Sequence, residues 1–383
     1  MTDSNGILDA VKASAGLIRA EAEGSERQRR LTEAVVGALR DAGVFRMAMS
    51  RAMGGPELPP LQQIAVIEEL AAADAAAGWC GMINCDGGFV TAYLDPVAAK
   101  ELYPSIDQPT VFVVNPTGTA TVEGDGYRVS GQWPFASGSS HAEVFFLNCL
   151  VFDASGMRMD GEIPEMRVVG LRRDQVEVLD TWHTTGLAGT ASNDVKATEV
   201  FVPRTYSYAP FVDRAVDPAA LYRWRWLFLA KMPAVPLGAA RGAIDEAMSV
   251  ATTKVTMPSF ALAREDATVQ SNIGRATALV RSARAYVDDT IGTVWDAMCA
   301  GREPTAEEWV DARLAITMAF TNSKEAVSLL YEALGTTGVY RKSPLDRQLR
   351  DVTTMGQHIV SQTKTYGASG RRLLGLEPNI PGF

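Results

Sequence analysis

The chain has 383 residues, of which 47% are hydrophobic, enough to fill more than one packed core. Its formal net charge of −9 argues against nucleic acid or an anionic membrane surface as the main partner. No apolar run approaches the ~18 residues that a membrane-spanning helix needs, and no secretory pattern opens the chain, so we expect a cytoplasmic protein. The four cysteines are scattered, which predicts free thiols rather than a zinc site or a disulfide framework.

The hydrophobic pattern divides the chain into three parts. Residues 1–107 predict a helical domain, because apolar residues recur at three- and four-residue spacing, and the alanine-rich block LQQIAVIEELAAADAAAGWCGMI predicts close helix packing. Residues 108–212 change to short segments rich in Val, Phe and Thr, which predict an antiparallel β-barrel or sandwich. Residues 213–383 contain four long amphipathic segments, the pattern of an up-and-down four-helix bundle. The predicted class is therefore α+β.

The most informative strand is VSGQWPFASGSSH. Trp133 and Phe135 have the same parity, so the pattern predicts that both rings face one side of the sheet, followed by the hydroxyl of Ser137. Two aromatic rings and a hydroxyl suit a flat heteroaromatic ligand, although aromatic core filling explains the same pattern. His141 follows in a predicted turn or surface position.

Common catalytic and nucleotide-binding motifs are absent. The sequence contains no P-loop, no Rossmann glycine pattern, no HExxH and no Gly-x-Ser-x-Gly. Its three histidines are widely separated, so a metal site is not expected.

The order of the three parts and several longer segments resemble one superfamily. The segments GYRVSGQWPFASG, DTWHTTGLAGTASNDVKATEVFVP, PLGAARGAID and LGTTGVYRKSPLDRQLRD resemble the acyl-CoA dehydrogenase superfamily over essentially the whole chain. WPFASG, in place of the dehydrogenases' WITNG, is most similar to the branch of two-component flavin-dependent monooxygenases. That branch includes the oxygenases of 4-hydroxyphenylacetate, phenolic steroids and dibenzothiophene. The resemblance implies an N-terminal helical domain, a central antiparallel β-barrel or sandwich and a C-terminal four-helix bundle.

The positions of the dehydrogenase base carry no carboxylate. Acyl-CoA dehydrogenases need a carboxylate to remove the proton α to the thioester. In most of them it lies eight residues after the Asp of an RD pair, and here that position is Ile359. A second group places it ten residues before the Gly of a PLG-like stretch, and here that position is Phe228.

Gln357-His358 matches a QH pair that the monooxygenase branch carries near the end of the same motif. The resemblance implies that His358 lies near the flavin, where oxygen is activated and the substrate is deprotonated. Its unperturbed pKa of about 6.5 suits proton exchange near neutral pH. A packed core histidine on a bundle helix is the structural alternative.

The resemblance also implies positions for the cofactor and the substrate. Ser137 corresponds to the hydroxyl near flavin N5, and the LGTTG loop and the Arg264 region correspond to contacts with a neighbouring subunit's flavin. The implied cofactor-binding residues are Asn115, Trp133, Phe135, Ser137, Arg264, Gly335 and Gly338. The candidate substrate-pocket residues are Asp86, Tyr93, Trp224 and Trp226.

The predicted function is that of an oxygenase component. It would use reduced FMN or FAD from a separate reductase, and O2, through a flavin C4a-hydroperoxide, to hydroxylate an aromatic or other small organic substrate. The superfamily resemblance implies a homotetramer without a metal. Two alternatives stay open: an acyl-CoA dehydrogenase-like FAD oxidoreductase with a non-standard base, and a non-catalytic flavin- or ligand-binding homologue.

Overall fold

The computed structural model describes residues 4–257 and 260–378. The N-terminal helices are α1 (Ser4–Gln28), α2 (Glu33–Asp41), α3 (Pro60–Ala73), α4 (Ala75–Asn84), α5 (Gly87–Thr91) and α6 (Pro96–Leu102). The strands that follow are β1 (Thr110–Glu123), β2 (Gly126–Ala136), β3 (Val144–Asp153), β4 (Gly156–Met157), β5 (Met159–Asp160), β6 (Ile163–Pro164), β7 (Met166–Arg172), β8 (Glu177–Leu179), β9 (Asn193–Pro203) and β10 (Ser207–Tyr208). The remaining elements are α7 (Ala220–Arg223), α8 (Ala234–Ala251), β11 (Val255–Thr256), β12 (Ala261–Leu262), α9 (Ala267–Cys299), α10 (Ala306–Leu334), α11 (Pro344–Met355) and α12 (Lys364–Leu373).

This succession confirms the predicted α+β class and the helix–sheet–helix order. The predicted boundary at 107–108 falls between α6 and β1, and the one at 212–213 falls between β10 and α7. No helix among the described residues is both long and apolar enough to cross a membrane.

Small residues let the N-terminal helices pack closely, as the alanine-rich block predicts. A Cβ on Gly78 of α4 would lie 2.5 Å from the Ala71 Cβ of α3. Helix α8 approaches α3 as closely, because a Cβ on Gly238 of α8 would lie 2.4 Å from the Glu68 carbonyl oxygen. Both distances are shorter than any real contact, so these helices approach at a separation that only glycine permits.

The central sheet is mostly antiparallel, with the strand order β10-β7-β3-β1-β2-β9-β8. One pair departs from the prediction, because β1 and β3 run parallel. The strand pairing in the described residues runs from β10 to β8 without closing, so the strands form an open sheet.

The predicted common face of Trp133 and Phe135 is wrong. Trp133 is completely buried in the sheet's own core, and its indole N–H donates to the Asn148 carbonyl at 2.6 Å. The β2–β9 register shifts between Trp133 and Ala136, and Phe135 has a φ of 61°. A bulge of this kind reverses side-chain alternation, so Phe135 is turned outward and is 70% exposed.

The C-terminal part consists of α8, α9, α10 and α11, with α12 beyond them. The sequence pattern predicts one long last helix that carries His358, and this prediction is wrong. Helix α11 ends at Met355, with Gly356 as its C-cap, and a turn region separates it from α12. His358 therefore lies in this connection and not on a helix, and its ring contacts Trp79 of α4.

Candidate active site

Ser137 is the first residue after β2 and ends a buried chain of hydroxyl groups. Its side chain is almost fully buried, and its Oγ accepts a hydrogen bond from the Trp79 indole N–H at 3.1 Å. Ser137 Oγ lies 2.7 Å from Ser192 Oγ, which lies 2.7 Å from Thr190 Oγ1. Thr190 Oγ1 in turn donates to the Leu187 carbonyl oxygen at 2.8 Å. We call these three hydroxyls the hydroxyl relay.

The two ends of the hydroxyl relay determine the direction of every proton in it. A carbonyl oxygen can only accept, so Thr190 must donate to Leu187. Each hydroxyl has a single proton, so Ser192 must then donate to Thr190, and Ser137 must donate to Ser192. An indole N–H can only donate, so Trp79 contributes a further proton to Ser137 rather than receiving one. Ser137 is therefore left with a free lone pair and no free proton.

The His358 ring lies on the other side of Trp79, with ring centroids 5.7 Å apart in an edge-to-face arrangement. Its Nδ1 accepts the backbone N–H of Val360 at 3.3 Å. Burial, with a smaller contribution from the Arg313 charge, lowers the pKa of His358 to about 4. The ring is therefore neutral near pH 7, and its proton resides on Nε2, because Nδ1 is already an acceptor.

A second buried histidine supports the same region, and its environment was not predicted. His141 lies in a turn, as expected, but burial lowers the pKa of its ring to about 4, so it is not a surface residue. Its Nε2 lies 2.9 Å from Asn84 Oδ1. The Asn84 amide donates to the carbonyl oxygens of Ser137, at 3.1 Å, and Thr110, at 2.9 Å. Asn84 thus joins the end of β2 to the start of β1, and no motif signals this long-range contact.

A cavity lined mostly by aromatic side chains opens beside β1, and we call it the aromatic cavity. Its walls surround about 550 Å³ of space outside protein atoms, part of which is open to solvent. The lining residues include Tyr93, Phe112, Trp224, Trp226, Phe228 and Arg225. Three of the predicted substrate-pocket residues are therefore together: Tyr93, Trp224 and Trp226.

Asp86, the fourth predicted pocket residue, is not among the described residues that line the cavity. It is buried and forms an ion pair with the buried Lys231, whose Nζ lies 4.8 Å from the centroid of the Phe89 ring. Burial raises the pKa of Asp86, and the opposing Lys231 charge limits that rise. This pair supports the cavity wall through Phe89 rather than facing a ligand.

The predicted flavin contacts divide into four groups, of which three lie in or directly after the sheet. Phe135 and Asn115 are exposed near the sheet, and the Phe135 ring meets Trp182 edge-to-face at 6.2 Å. Trp133 is enclosed in the sheet core and presents no surface to a ligand. Ser137 has a lone pair that its described partners do not use, next to Trp79.

Arg264, Gly335 and Gly338 lie elsewhere in the protomer. Thr317 of α10 donates to the Val360 carbonyl oxygen, which places it beside the His358 turn. Gly335 follows 18 residues later, roughly 27 Å away along a helix rising 1.5 Å per residue. Within one protomer, Gly335 and the nearby Gly338 therefore lie far from the His358 turn, which contacts Trp79 beside Ser137.

Among the residues that the structure describes, no group of three or more His, Cys, Asp or Glu side chains is arranged to hold a metal ion.

Comparisons with known proteins identify the family of the chain. Residues 9–100 match the family model "Acyl-CoA dehydrogenase, N-terminal domain", and residues 231–363 match "Acyl-CoA dehydrogenase, C-terminal domain". Indole-3-acetate monooxygenase of Pseudomonas putida is 28% identical over 94% of this chain and 90% of its own. The oxygenase component of FADH(2)-dependent resorcinol hydroxylase from a Rhizobium strain is 27% identical over 97% of this chain and 95% of its own.

Solved structures share the fold over nearly the full length. The 3-HSA hydroxylase from Rhodococcus sp. RHA1 superposes with a TM-score of 0.91 at 24% identity, covering 99% of both chains. XiaF from a Streptomyces species, solved with FADH2 and glycerol, superposes with a TM-score of 0.92 at 22% identity, covering 99% of this chain and 98% of that one. The chain belongs to the acyl-CoA dehydrogenase superfamily, and its relatives are oxygenase components of flavin-dependent monooxygenases.

Proposed function

We propose that this protein is the oxygenase component of a two-component monooxygenase that hydroxylates a small aromatic substrate in the cytoplasm. It would receive reduced flavin from a separate reductase and consume O2. The hydroxyl relay is the observation that carries this proposal. A reduced flavin presents N5–H as a donor, which matches the free lone pair on Ser137, whereas N5 of an oxidised flavin is an acceptor and would be repelled.

The residues of the site fit such a cofactor. Ser137 would accept the N5–H, the exposed Phe135 ring would lie against the flavin, and Asn115 would lie beside its pyrimidine. When bound, a reduced flavin reacts with O2 and supplies one oxygen atom to the substrate, while the other leaves as water. The apolar walls of the aromatic cavity would exclude bulk water from that reaction.

His358 would act as a hydrogen-bond donor. The role expected from its unperturbed pKa was removal of a substrate proton, but a ring with a pKa of about 4 is a weak base at neutral pH. Its Nδ1 lone pair is also engaged by Val360. Nε2–H is left to donate to an oxygen atom in the site, as neutral imidazoles do in other enzymes.

The cavity supports oxygenation over acyl-CoA dehydrogenation. Phe228, at one dehydrogenase base position, lines the aromatic cavity, and the described lining contains no carboxylate. Ile359, at the other base position, is exposed. Abstraction of an α proton needs a base within hydrogen-bond reach, and neither position supplies one.

We also propose a homotetramer in which Arg264, Gly335 and Gly338 contact the flavin of a neighbouring subunit. Their distance from Ser137 within a protomer supports this division. FAD carries an adenylate group, which FMN lacks, and this group would extend to such a turn. A contribution of Gly335 to flavin affinity would therefore favour FAD over FMN.

The test compares the affinities of reduced and oxidised flavin. Chemically reduced flavin is titrated anaerobically and oxidised flavin aerobically, with the wild type and Ser192→Ala. We expect the wild type to prefer reduced flavin at least tenfold. In Ser192→Ala, Ser137 loses its acceptor and can turn its proton toward N5, so this preference should shrink several-fold.

Ser139→Ala is the matched control, because Ser139 is a buried serine that donates to the Ala191 carbonyl outside the relay. A wild type that binds both flavin forms equally would contradict the proposal. Turnover is measured next, with a flavin reductase, NADH and 18O-labelled O2. Label in the hydroxylated product supports the oxygenase, reduction of bound FAD by an acyl-CoA would identify a dehydrogenase, and neither activity would identify a binding protein.

A further inference from the structure

The aromatic cavity contains a single charged side chain. Arg225 is the one charged residue among the described residues that line it, and the others are aromatic or aliphatic, apart from the tyrosine hydroxyls. A flat ring fits walls of this kind, because aromatic surfaces stack edge-to-face or offset. The Arg225 guanidinium favours a ligand with a negative charge or a hydrogen-bond acceptor, and a plain hydrocarbon has neither.

Arg225 has no ionic partner among the residues that the structure describes. Its Nη1 donates to the Pro210 carbonyl at 2.9 Å, and no described carboxylate lies within 4.0 Å of the guanidinium. Other half-buried arginines are paired with acids, for example Arg284 with Glu68 at 2.8 Å and Arg241 with Glu69 at 2.7 Å. A guanidinium has five N–H donors, so Arg225 retains several that are free to bind an anion.

Neighbouring groups reinforce this excess of donors. The Trp224 indole N–H is buried and has no hydrogen-bond partner among the described residues. The Tyr93 hydroxyl, by contrast, donates its proton to the Tyr222 carbonyl oxygen at 3.3 Å and is not a free donor. The Arg225 charge acts on that phenol, opposing the rise that burial imposes on the Tyr93 pKa. The wall around Arg225 therefore offers positive charge and donors, but no negative charge.

The other end of the cavity lies close to the flavin site. Phe112 and Val114 of β1 line it, and Thr110, two residues before Phe112, is tied through Asn84 to the Ser137 carbonyl. Two residues along a strand span roughly 6.6 Å. A ring in the cavity would therefore reach toward the flavin while a side-chain anion stays at Arg225.

We propose that the substrate is a flat aromatic carboxylate, whose ring occupies the aromatic cavity and whose carboxylate is bound by Arg225. Planar carboxylates match the guanidinium fork through two parallel hydrogen bonds, and the low dielectric of the cavity strengthens the pair. Arg225 is thus a specificity-determining residue. This inference rests on the proposed function, because it takes the cavity to be the substrate site of the oxygenase.

The experiment measures equilibrium binding of indole-3-acetate and of its neutral isostere indole-3-acetamide to the protein carrying reduced flavin under anaerobic conditions. We expect the wild type to bind the acid at least tenfold more tightly than the amide. Arg225→Gln should abolish that preference, and Arg225→Lys should restore part of it, because Lys keeps the charge without the fork. Arg214→Gln removes an exposed arginine nearby and should leave the preference unchanged.

The outcomes separate this inference from the proposed function. Equal affinity for acid and amide, or a preference that survives in Arg225→Gln, overturns the carboxylate assignment. If reduced flavin still binds selectively in that case, the oxygenase proposal stands. An acid preference in a protein that does not bind reduced flavin would overturn the oxygenase proposal and leave Arg225 as part of a carboxylate-binding site.

Discussion

The properties of single side chains in this site depend on which of their atoms the neighbours already use. Val360 engages Nδ1 of His358, and burial holds the pKa of the ring at about 4, so the residue offers a proton rather than taking one. Ser137 shows the opposite case, since its own proton is committed to Ser192. The family resemblance predicts both residues as site residues but not these hydrogen-bond roles, because each role depends on contacts that the fold forms.

At the residue scale, we expect His358→Leu to reduce the rate of hydroxylation about 10²- to 10³-fold, the usual effect of losing one hydrogen-bond donor in an active site. Affinity for reduced flavin should change little. His358→Gln, which retains an N–H donor, should recover part of the rate.

The His358 ring should cause no change in the wild-type rate near pH 6.5, because the ring stays neutral above pH about 4. Rates of product formation between pH 5 and 8 check this, and a step near 6.5 that disappears in His358→Gln would identify His358 as a base instead.

Individual elements are held in position by close helix approaches and by local irregularities. Helix α8 presents Gly238 and Gly242 to α3, where a Cβ on either residue would meet backbone oxygen at 2.4 Å. This contact holds the C-terminal bundle against the N-terminal helices that carry Trp79 and Asn84. The site therefore depends on a helix crossing that lies outside it.

At the element scale, we expect Gly238→Ala to destabilise the protein by about 1–3 kcal/mol, because the new methyl group overlaps the Glu68 carbonyl and must separate the helices. Gly274→Ala is the matched control on α9, where nothing lies within 4 Å of the added carbon. There the substitution should stabilise by about 0.5–1 kcal/mol, the usual cost of glycine inside a helix. Urea unfolding of both variants measures the difference, and equal effects would show that the α3–α8 contact can relax.

Periodicity predicted the elements with regular patterns and failed where the chain is irregular. The helical parts, the strand-rich centre and their order follow from hydrophobic spacing. The bulge at Phe135 and the end of α11 before Gly356 do not follow from hydrophobic spacing. A shift in strand register changes the face to which a side chain points, and the end of a helix also changes the direction of the side chains after it. Both irregularities occur at the candidate site, so the sequence predicts which residues to consider there but not how their side chains are oriented.

At the scale of the whole molecule, one end of the helical bundle has the character of a contact surface. Phe260 and Tyr340 are 73% and 62% exposed, and in the sequence they lie four residues before Arg264 and five residues after Gly335. Lys254 bonds to the Leu334 carbonyl oxygen and joins the β11–β12 hairpin to the end of α10. Exposed aromatic groups clustered around predicted cofactor contacts support assembly through this end.

We expect Tyr340→Glu to reduce the oligomeric state and, at the same protein concentration, to weaken binding of reduced flavin at least tenfold. The reason is that a buried carboxylate opposes assembly, and the neighbour's contacts to the flavin are then lost. Val97→Glu is the control, because Val97 is 65% exposed on α6 in the N-terminal part. Light scattering and anaerobic titration are measured together. A dissociated variant with unchanged flavin affinity would show that each protomer holds its cofactor alone.

The direction of the hydroxyl relay has a consequence for competition in the cell. Aerobic cells contain flavin largely in its oxidised form, which resembles the reduced cofactor in shape and could act as a competitive inhibitor. If Ser137 binds the flavin as proposed, a serine that offers only a lone pair would discriminate against that competitor by one hydrogen-bond donor, without any steric barrier. The same discrimination would favour departure of the spent cofactor once its N5–H is lost, so each turnover would clear the site for the next delivery.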